Sequence, residues 1–238
     1  MRGFARHLHV IDPACEVPPA DLLPTRFRRA VPHLYSHSDI ARLMQAANAL
    51  APPLRAATYT SVVGLLAATG MRIGEAIRLD RDDVDWAAHL LVIHLSKDGK
   101  SREVPLHPST LDALQGYARQ RDQLCARPVP ASFFVSARGQ RLYYRSVWST
   151  FHRLLRDAGI ESPAGRRPPR LHDLRHSFIV DTLLDWYRSD VDVEAMMPRL
   201  STYVGHAKPS ATYWYLEAAP ELLALAADRL ERAFGERP

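Results

Sequence analysis

Between Ser38 and about Leu50 the apolar residues Ile40, Leu43 and Met44 recur at helical spacing, and Ser38 stands where an N-cap is wanted. Pro52-Pro53 breaks that pattern. From about Ala57 to Ala68, Val62, Val63, Leu65 and Leu66 predict a second helix that stops at Gly70, and a short third one opens near Arg72 with Ile73, Ala76, Ile77 and Leu79. The period then falls to two. Residues 84–86, 90–95 and 102–104 predict three short strands, with Ser96-Lys97-Asp98-Gly99 as the turn between the last two. Helical spacing returns from His107-Pro108-Ser109 to about Arg121, and again over 146–158, where Trp148, Phe151, Leu154 and Leu155 are expected on one face. A loop of Pro, Gly and Arg over 162–170 leads to helices near 172–187, 192–204, 209–216 and 220–234. At the start, a short helix over 1–11 runs into a connector kept extended by Pro13, Pro18, Pro19, Pro24 and Pro32. The pattern is mainly α, with one small three-stranded antiparallel β-sheet about a third of the way along, and no internal repeat.

Composition narrows the class. The chain has 238 residues, 47% hydrophobic and 24% charged, which is the globular norm and argues against wholesale disorder. No apolar run approaches the roughly 20 residues a membrane helix needs, and the charged start lacks the apolar stretch of a signal peptide. Cys15 and Cys125 are too few and too far apart for a disulfide framework or a four-cysteine zinc site, so a reducing cytoplasm is expected. A net charge of +5 permits a polyanionic partner without demanding one. Only Lys97, Lys100 and Lys208 of the 31 Lys and Arg residues are lysines, a bias that a GC-rich genome would produce, and two of the three share one short stretch.

Five stretches carry candidate chemistry. In TGMRIGEAIRL, Arg72 stands at a helix start, where free N–H groups and the positive helix end favour an anion that the guanidinium fork grips; the plain alternative is an arginine paired with Glu75 or Asp80. In SKDGKSREVPL, Lys97 at a hairpin tip suits a general acid or a phosphate contact, or is simply solvated. In LHDLRHSF, His172 and Arg175 share a helix face, and His176 lies four residues beyond His172. Asp173 replaces the glutamate that a zinc-protease motif needs, so a metal is not expected there. In VGHAKPSATYWYL, Gly205-His206 reads as a helix stop with an exposed imidazole, and Tyr213 and Tyr215 are either nucleophile candidates or part of a packing cluster with the tryptophan between them. In LDRDDVDW, the acids Asp80, Asp82, Asp83 and Asp85 do not converge simply, which favours a polar strand edge over a magnesium site.

Order and spacing together go further than any of these alone. An arginine, a hairpin lysine, H-x-L-R-H, G-H, and a tyrosine nine residues beyond that histidine resemble the catalytic domain of the tyrosine recombinases, the phage integrase family, over about residues 35–230. The resemblance implies the tyrosine recombinase (DNA breaking-rejoining) catalytic fold and the catalytic residues Arg72, Lys97, His172, Arg175, His206 and Tyr215, with Tyr215 chosen over Tyr213 by the nine-residue spacing. It implies attack of Tyr215 on a phosphodiester to give a 3′-phosphotyrosyl link. In that scheme Arg72, Arg175 and His206 brace the phosphate, Lys97 protonates the leaving 5′-oxygen and His172 handles the phenolic proton. Neither ATP, a metal nor another cofactor is called for. The implied partner is double-stranded DNA, met by a homo-oligomer of four protomers on two duplexes, in the cytoplasm at the nucleoid and not at a membrane.

Family members carry a helical core-binding domain ahead of the catalytic one. Residues 1–34 are therefore expected to be the last helix of such a domain plus its linker, and 35–238 the catalytic domain. The expected activity is site-specific recombination or integration for a mobile element. The rival expectations are a truncated DNA-binding remnant that does not cut, and a type IB topoisomerase-like activity. With half the DNA clamp missing, binding is expected to be weak and steeply salt-dependent. The amphipathic tail 220–234 is expected to pack either within the chain or on a neighbouring protomer.

Overall fold

The computed structural model describes residues 2–19, 32–94, 101–125, 131–162, 167–189, 191–206, 208, 210–218 and 220–235. Contacts group the chain into two units, Met1–Val31 and Pro32–Pro238. In the first, helix α1 (Arg2–Ile11) is followed by a turn in which the Asp12 N–H donates to the Leu8 carbonyl at 2.7 Å.

The second unit opens on Tyr35, whose N–H donates to Ser177 Oγ at 2.7 Å and whose hydroxyl donates to the Arg170 carbonyl at 3.1 Å. Helix α2 (His37–Asn48) is capped by Ser36 rather than Ser38. Ser36 has an acid three residues on: the Asp39 N–H donates to Ser36 Oγ at 3.1 Å, and the Ser36 N–H donates to the Asp39 carboxylate at 2.9 Å. Helix α3 (Pro53–Thr69) starts four residues before its expected beginning, because the second proline of the pair sits at the first helical position, where no N–H is needed. It is buried on nearly every side, through Leu54, Tyr59, Val62, Val63, Leu65 and Leu66, and ends at Gly70 with φ of 59°. A Cβ on Gly70 would lie 2.4 Å from Phe178 Cδ1, so both the backbone and the space there require glycine.

Helix α4 (Ile73–Arg78) and a single 3-10 turn (Arg81–Asp83) lead into the sheet: β1 (Val84–Asp85), β2 (Leu90–Ile93) and β3 (Arg102–Pro105), antiparallel in the order β1-β2-β3. Val84 pairs with Leu91, and Leu91 with Val104, so one face is apolar and buried. Arg102 faces Ile93 across the ladder and enters the site from there. The acids of 80–85 are partnered as a polar edge: Asp80 with Arg141, and Asp83 with the Asp80 N–H and His94.

Helix α5 (Pro108–Leu124) packs on α3. The segment 131–142 shows no periodicity in the sequence, yet it places Phe133, Phe134 and Val135 in the core. It is fastened by isolated bridges, Asp80 to Ser132 and Val135 to Arg141, and by the buried Arg121, which donates to the Phe133 carbonyl at 2.7 Å. Helix α6 (Tyr144–Asp157) corrects one expectation. Its buried stripe is Val147, Thr150, Phe151, Leu154 and Leu155, and Trp148, one step off that stripe, is 50% exposed and stacks on His152. Helices α7 (Asp173–Arg188), α8 (Val193–Val204), α9 (Ser210–Ala218) and α10 (Pro220–Gly235) surround a second core of Ile179, Val180, Leu183, Met197, Leu200, Val204, Tyr215 and Leu222. Helix α10 packs within the chain, against α7. Arg229 donates to the Ser189 and Val191 carbonyls. Among the described residues no helix is long and apolar enough to cross a membrane.

Candidate active site

Three local devices set the site. Gly70 ends α3 and turns the chain so that Arg72 becomes the residue before α4. The start of α7 places His172, Asp173, Arg175 and His176 within little more than one turn. Gly205 ends α8 in a left-handed conformation with φ of 70° and lets His206 follow at once.

Hydrogen bonds then close a circuit. Arg175 Nη1 donates to the Gly70 carbonyl at 2.8 Å, two residues from Arg72. Arg72 Nη2 donates to the Gly205 carbonyl at 2.6 Å, next to His206. The His206 ring stacks on Tyr215 with centroids 6.3 Å apart, and the Tyr215 hydroxyl lies 2.6 Å from His176 Nδ1, back beside Arg175. Five of the six residues expected from the sequence (Arg72, His172, Arg175, His206 and Tyr215) thus lie on this circuit or beside it. Lys97 lies outside the described residues.

Two residues that the sequence did not single out for the site hold it in shape. Glu75, three residues after Arg72, is fully buried. Its carboxylate accepts from Arg72 Nη1 at 2.9 Å, from the Arg72 N–H at 2.9 Å, and from both Nη atoms of Arg102 at 3.0 and 2.8 Å. Arg102 also donates through Nε to the Tyr203 carbonyl at 2.9 Å. A Cβ on residue 205 would fall 2.8 Å from Arg102 Nη1, so the glycine makes room for this arginine. The pairing of Glu75 with Arg72 is legible as an i, i+3 spacing; Arg102 comes from a strand 27 residues further on and leaves no such signal.

Burial alone would raise the Glu75 carboxyl. The hydrogen bonds from Arg102, the Arg72 N–H and the Arg72 side chain outweigh it and hold the group down at about 2. A carboxyl lowered on folding stabilises the protein above its ordinary value of 4.5, and that stability is lost as pH falls through about 2. Glu75→Gln is therefore expected to cost about 3 kcal/mol in urea unfolding at pH 7, because two arginines lose their counter-charge. The gap from the wild type should narrow as pH drops from 4.5 toward 2. A gap that stays constant over that range would show that the charge of Glu75 is not what braces the site.

The cations are poised for an anion. Arg175 is 2% exposed, and its Nη2 is buried with no hydrogen-bond partner. Burial, then the Arg72 charge, pull its guanidinium down to about 10, so it stays protonated at pH 7. His172 is an exposed residue. Even so, the atoms packed around it, and next the Arg175 charge, hold it down at about 4 and therefore neutral at pH 7. His206 Nδ1 lies 2.7 Å from Thr212 Oγ1. Tyr215 is 3% exposed and Tyr213 41%, so accessibility alone would favour Tyr213; the two histidine contacts belong to Tyr215. Among the described residues no three His, Cys, Asp or Glu side chains cluster as metal ligands.

Known proteins resemble the chain in sequence and in fold. The sequence model described as "Phage integrase family" matches residues 34–221. A protein of Sinorhizobium fredii (strain NBRC 101917 / NGR234) named as an integrase/recombinase is 43% identical over 245 residues, covering 100% of this chain and 77% of that one. Tyrosine recombinase XerD of Mycobacterium tuberculosis is 34% identical over 196 residues, covering 81% of this chain and 58% of its own length. The crystal structure of XerA recombinase superposes with a TM-score of 0.65 at 23% identity, over 98% of this chain and 75% of that one, which is a likeness of fold.

Proposed function

The chain belongs to the phage integrase family, the tyrosine recombinases, enzymes that break and rejoin DNA strands, and from that premise we propose that it is a site-specific recombinase of a mobile element, acting on double-stranded DNA through a 3′-phosphotyrosyl intermediate. The observation that carries this reading is the buried, unpartnered Nη2 of Arg175 beside Arg72. A desolvated guanidinium N–H without an acceptor is costly, and a phosphodiester oxygen is the acceptor that would complete it.

In this reading Tyr215 Oη attacks the phosphorus in line, the bond to the 5′-oxygen breaks, and the bond energy is kept in the new ester. Negative charge gathers on the two non-bridging oxygens, where Arg72 and Arg175 meet it and His206 adds a hydrogen bond. Their guanidinium groups are already fixed by the Glu75, Gly205 and Gly70 contacts, so little reorganisation accompanies the attack. His172, neutral at pH 7, takes the phenolic proton, and Lys97 protonates the departing oxygen. Rejoining to a 5′-hydroxyl of a second duplex completes an exchange, with four protomers on two duplexes. The arginines supply the charge stabilisation, so no step calls for a metal or ATP.

The test is covalent capture. The full chain is incubated in EDTA with a pool of nicked duplexes of randomised sequence, and complexes that survive denaturation are recovered and sequenced. A covalent adduct enriched for one sequence family is expected. Protection of DNA without an adduct would make the protein a binder that does not cut, and an adduct that EDTA abolishes would make it a metal-dependent enzyme.

A further inference from the structure

The phenol at the centre of this chemistry is held by a residue to which the scheme above gives no part. Tyr215 Oη lies 2.6 Å from His176 Nδ1. We propose that His176 is a positioning residue for the nucleophile: in the resting site its neutral ring accepts the phenolic hydrogen bond through Nδ1 and fixes the orientation from which Oη is delivered to the phosphate, where the proton passes to His172. The inference rests on the reading of Tyr215 as the nucleophile.

Three observations give His176 that role. First, its surroundings bias the tautomer. Asp173 Oδ1 lies 4.0 Å from Nε2, and a carboxylate on that side favours the proton on Nε2, which leaves the Nδ1 lone pair toward the phenol. Second, the ring stays uncharged. Burial is the main reason, followed by the basic groups around it (His172, Arg170, Arg175 and His206), so at pH 7 it has a lone pair to offer. Third, the ring is clamped. His172 meets it edge to face at 4.9 Å, Trp214 at 6.2 Å, and the Tyr215 ring packs on it at 5.4 Å. His176 also adjoins Arg175 on α7, so one rigid helix sets the distance between the phosphate brace and the phenol. A nucleophile delivered from a fixed bearing gains from orientation, and a displacement of about 1 Å at such a centre costs on the order of 100-fold in rate.

The experiment has two arms. In the first, nitrogen-15 spectra of the imidazoles in the full chain, assigned against His176→Phe, should show His176 neutral at pH 7 with its proton on Nε2. A proton on Nδ1 would overturn the proposal without reference to DNA. In the second, single-turnover adduct formation is followed on the duplex recovered by the wild type. His176→Phe, which keeps the ring and loses the acceptor, should be slower by about 10–100-fold, with DNA affinity and melting temperature held. His176→Asn, whose Oδ1 falls near the place of Nδ1, should recover most of the rate. A Phe variant as fast as the wild type or faster, or an Asn variant as slow as Phe, would refute the role. Should the Phe variant fail to fold, Asn is compared with His176→Gln, whose amide reaches the Nε2 position instead; the proposal requires Asn to be the faster. Absence of any wild-type adduct would count against the nucleophile assignment itself, and the spectra would still decide the tautomer.

Discussion

Tyr215→Phe is expected to abolish covalent capture of DNA, a loss on the order of 10⁴-fold or more, while the folded protein still binds the same duplex. Only one atom is removed, and in the proposed mechanism it is the one that forms the bond. The fold should tolerate the change, because the ring keeps its place in the second core while the hydrogen bond with His176 is lost. The neighbouring tyrosine makes the prediction sharper. Tyr213 is the more accessible hydroxyl, and if accessibility decided the chemistry, Tyr213→Phe would be the damaging change. The contacts with His176 and His206 say otherwise, so Tyr213→Phe should retain the adduct. Denaturing gels of both variants on one nicked substrate settle the matter: an adduct that survives Tyr215→Phe removes the phosphotyrosyl mechanism as drawn.

Arg175→Ala is expected to slow adduct formation by about 10²–10³-fold, equivalent to about 3–4 kcal/mol of barrier. The side chain uses Nη1 on the Gly70 carbonyl and leaves Nη2 without a partner. In the proposed site that unused donor is the one left for a phosphate oxygen. Lysine should not rescue it. An ammonium is a point charge, and it cannot keep the Gly70 contact and reach a phosphate oxygen with the geometry of a planar fork. The measurement is the single-turnover rate at saturating protein, which separates loss of the chemical step from loss of affinity. An Arg175→Lys variant within a few-fold of the wild type would mean that charge suffices and that the fork geometry is idle.

Much of this was legible along the chain, and the physical reasons are local. The α3 stop at Gly70, the Arg72 helix start and the Gly205-His206 stop are written in neighbouring residues, because caps depend on three or four positions. Three kinds of feature were not legible. The Ser36 cap was missed because Ser36 and Ser38 are both good cap residues, and only the position of Asp39 decides between them. Segment 131–142 has no period to read, since it is fastened by two isolated bridges and a buried arginine rather than by a ladder. The Glu75–Arg102 pair and the His176–Tyr215 contact join residues 27 and 39 positions apart, so they follow from packing and from no local pattern. His176 did stand out in the sequence, though as a metal-ligand candidate. The structure gives it a tyrosine instead.

Helix α7 carries consequences for how the chain tolerates change. Asp173 faces Arg170, Arg175 reaches Gly70, His176 meets Tyr215 and Ser177 accepts from Tyr35: four neighbours addressed in five positions. Each residue turns a helix by about 100°, so deleting or adding a single one in that turn would misdirect all four at once. Substitution there subtracts a function; a change of length scrambles the wiring. Insertions, tags or permuted ends belong elsewhere, and this spindle is the part of the molecule whose count of residues has no slack.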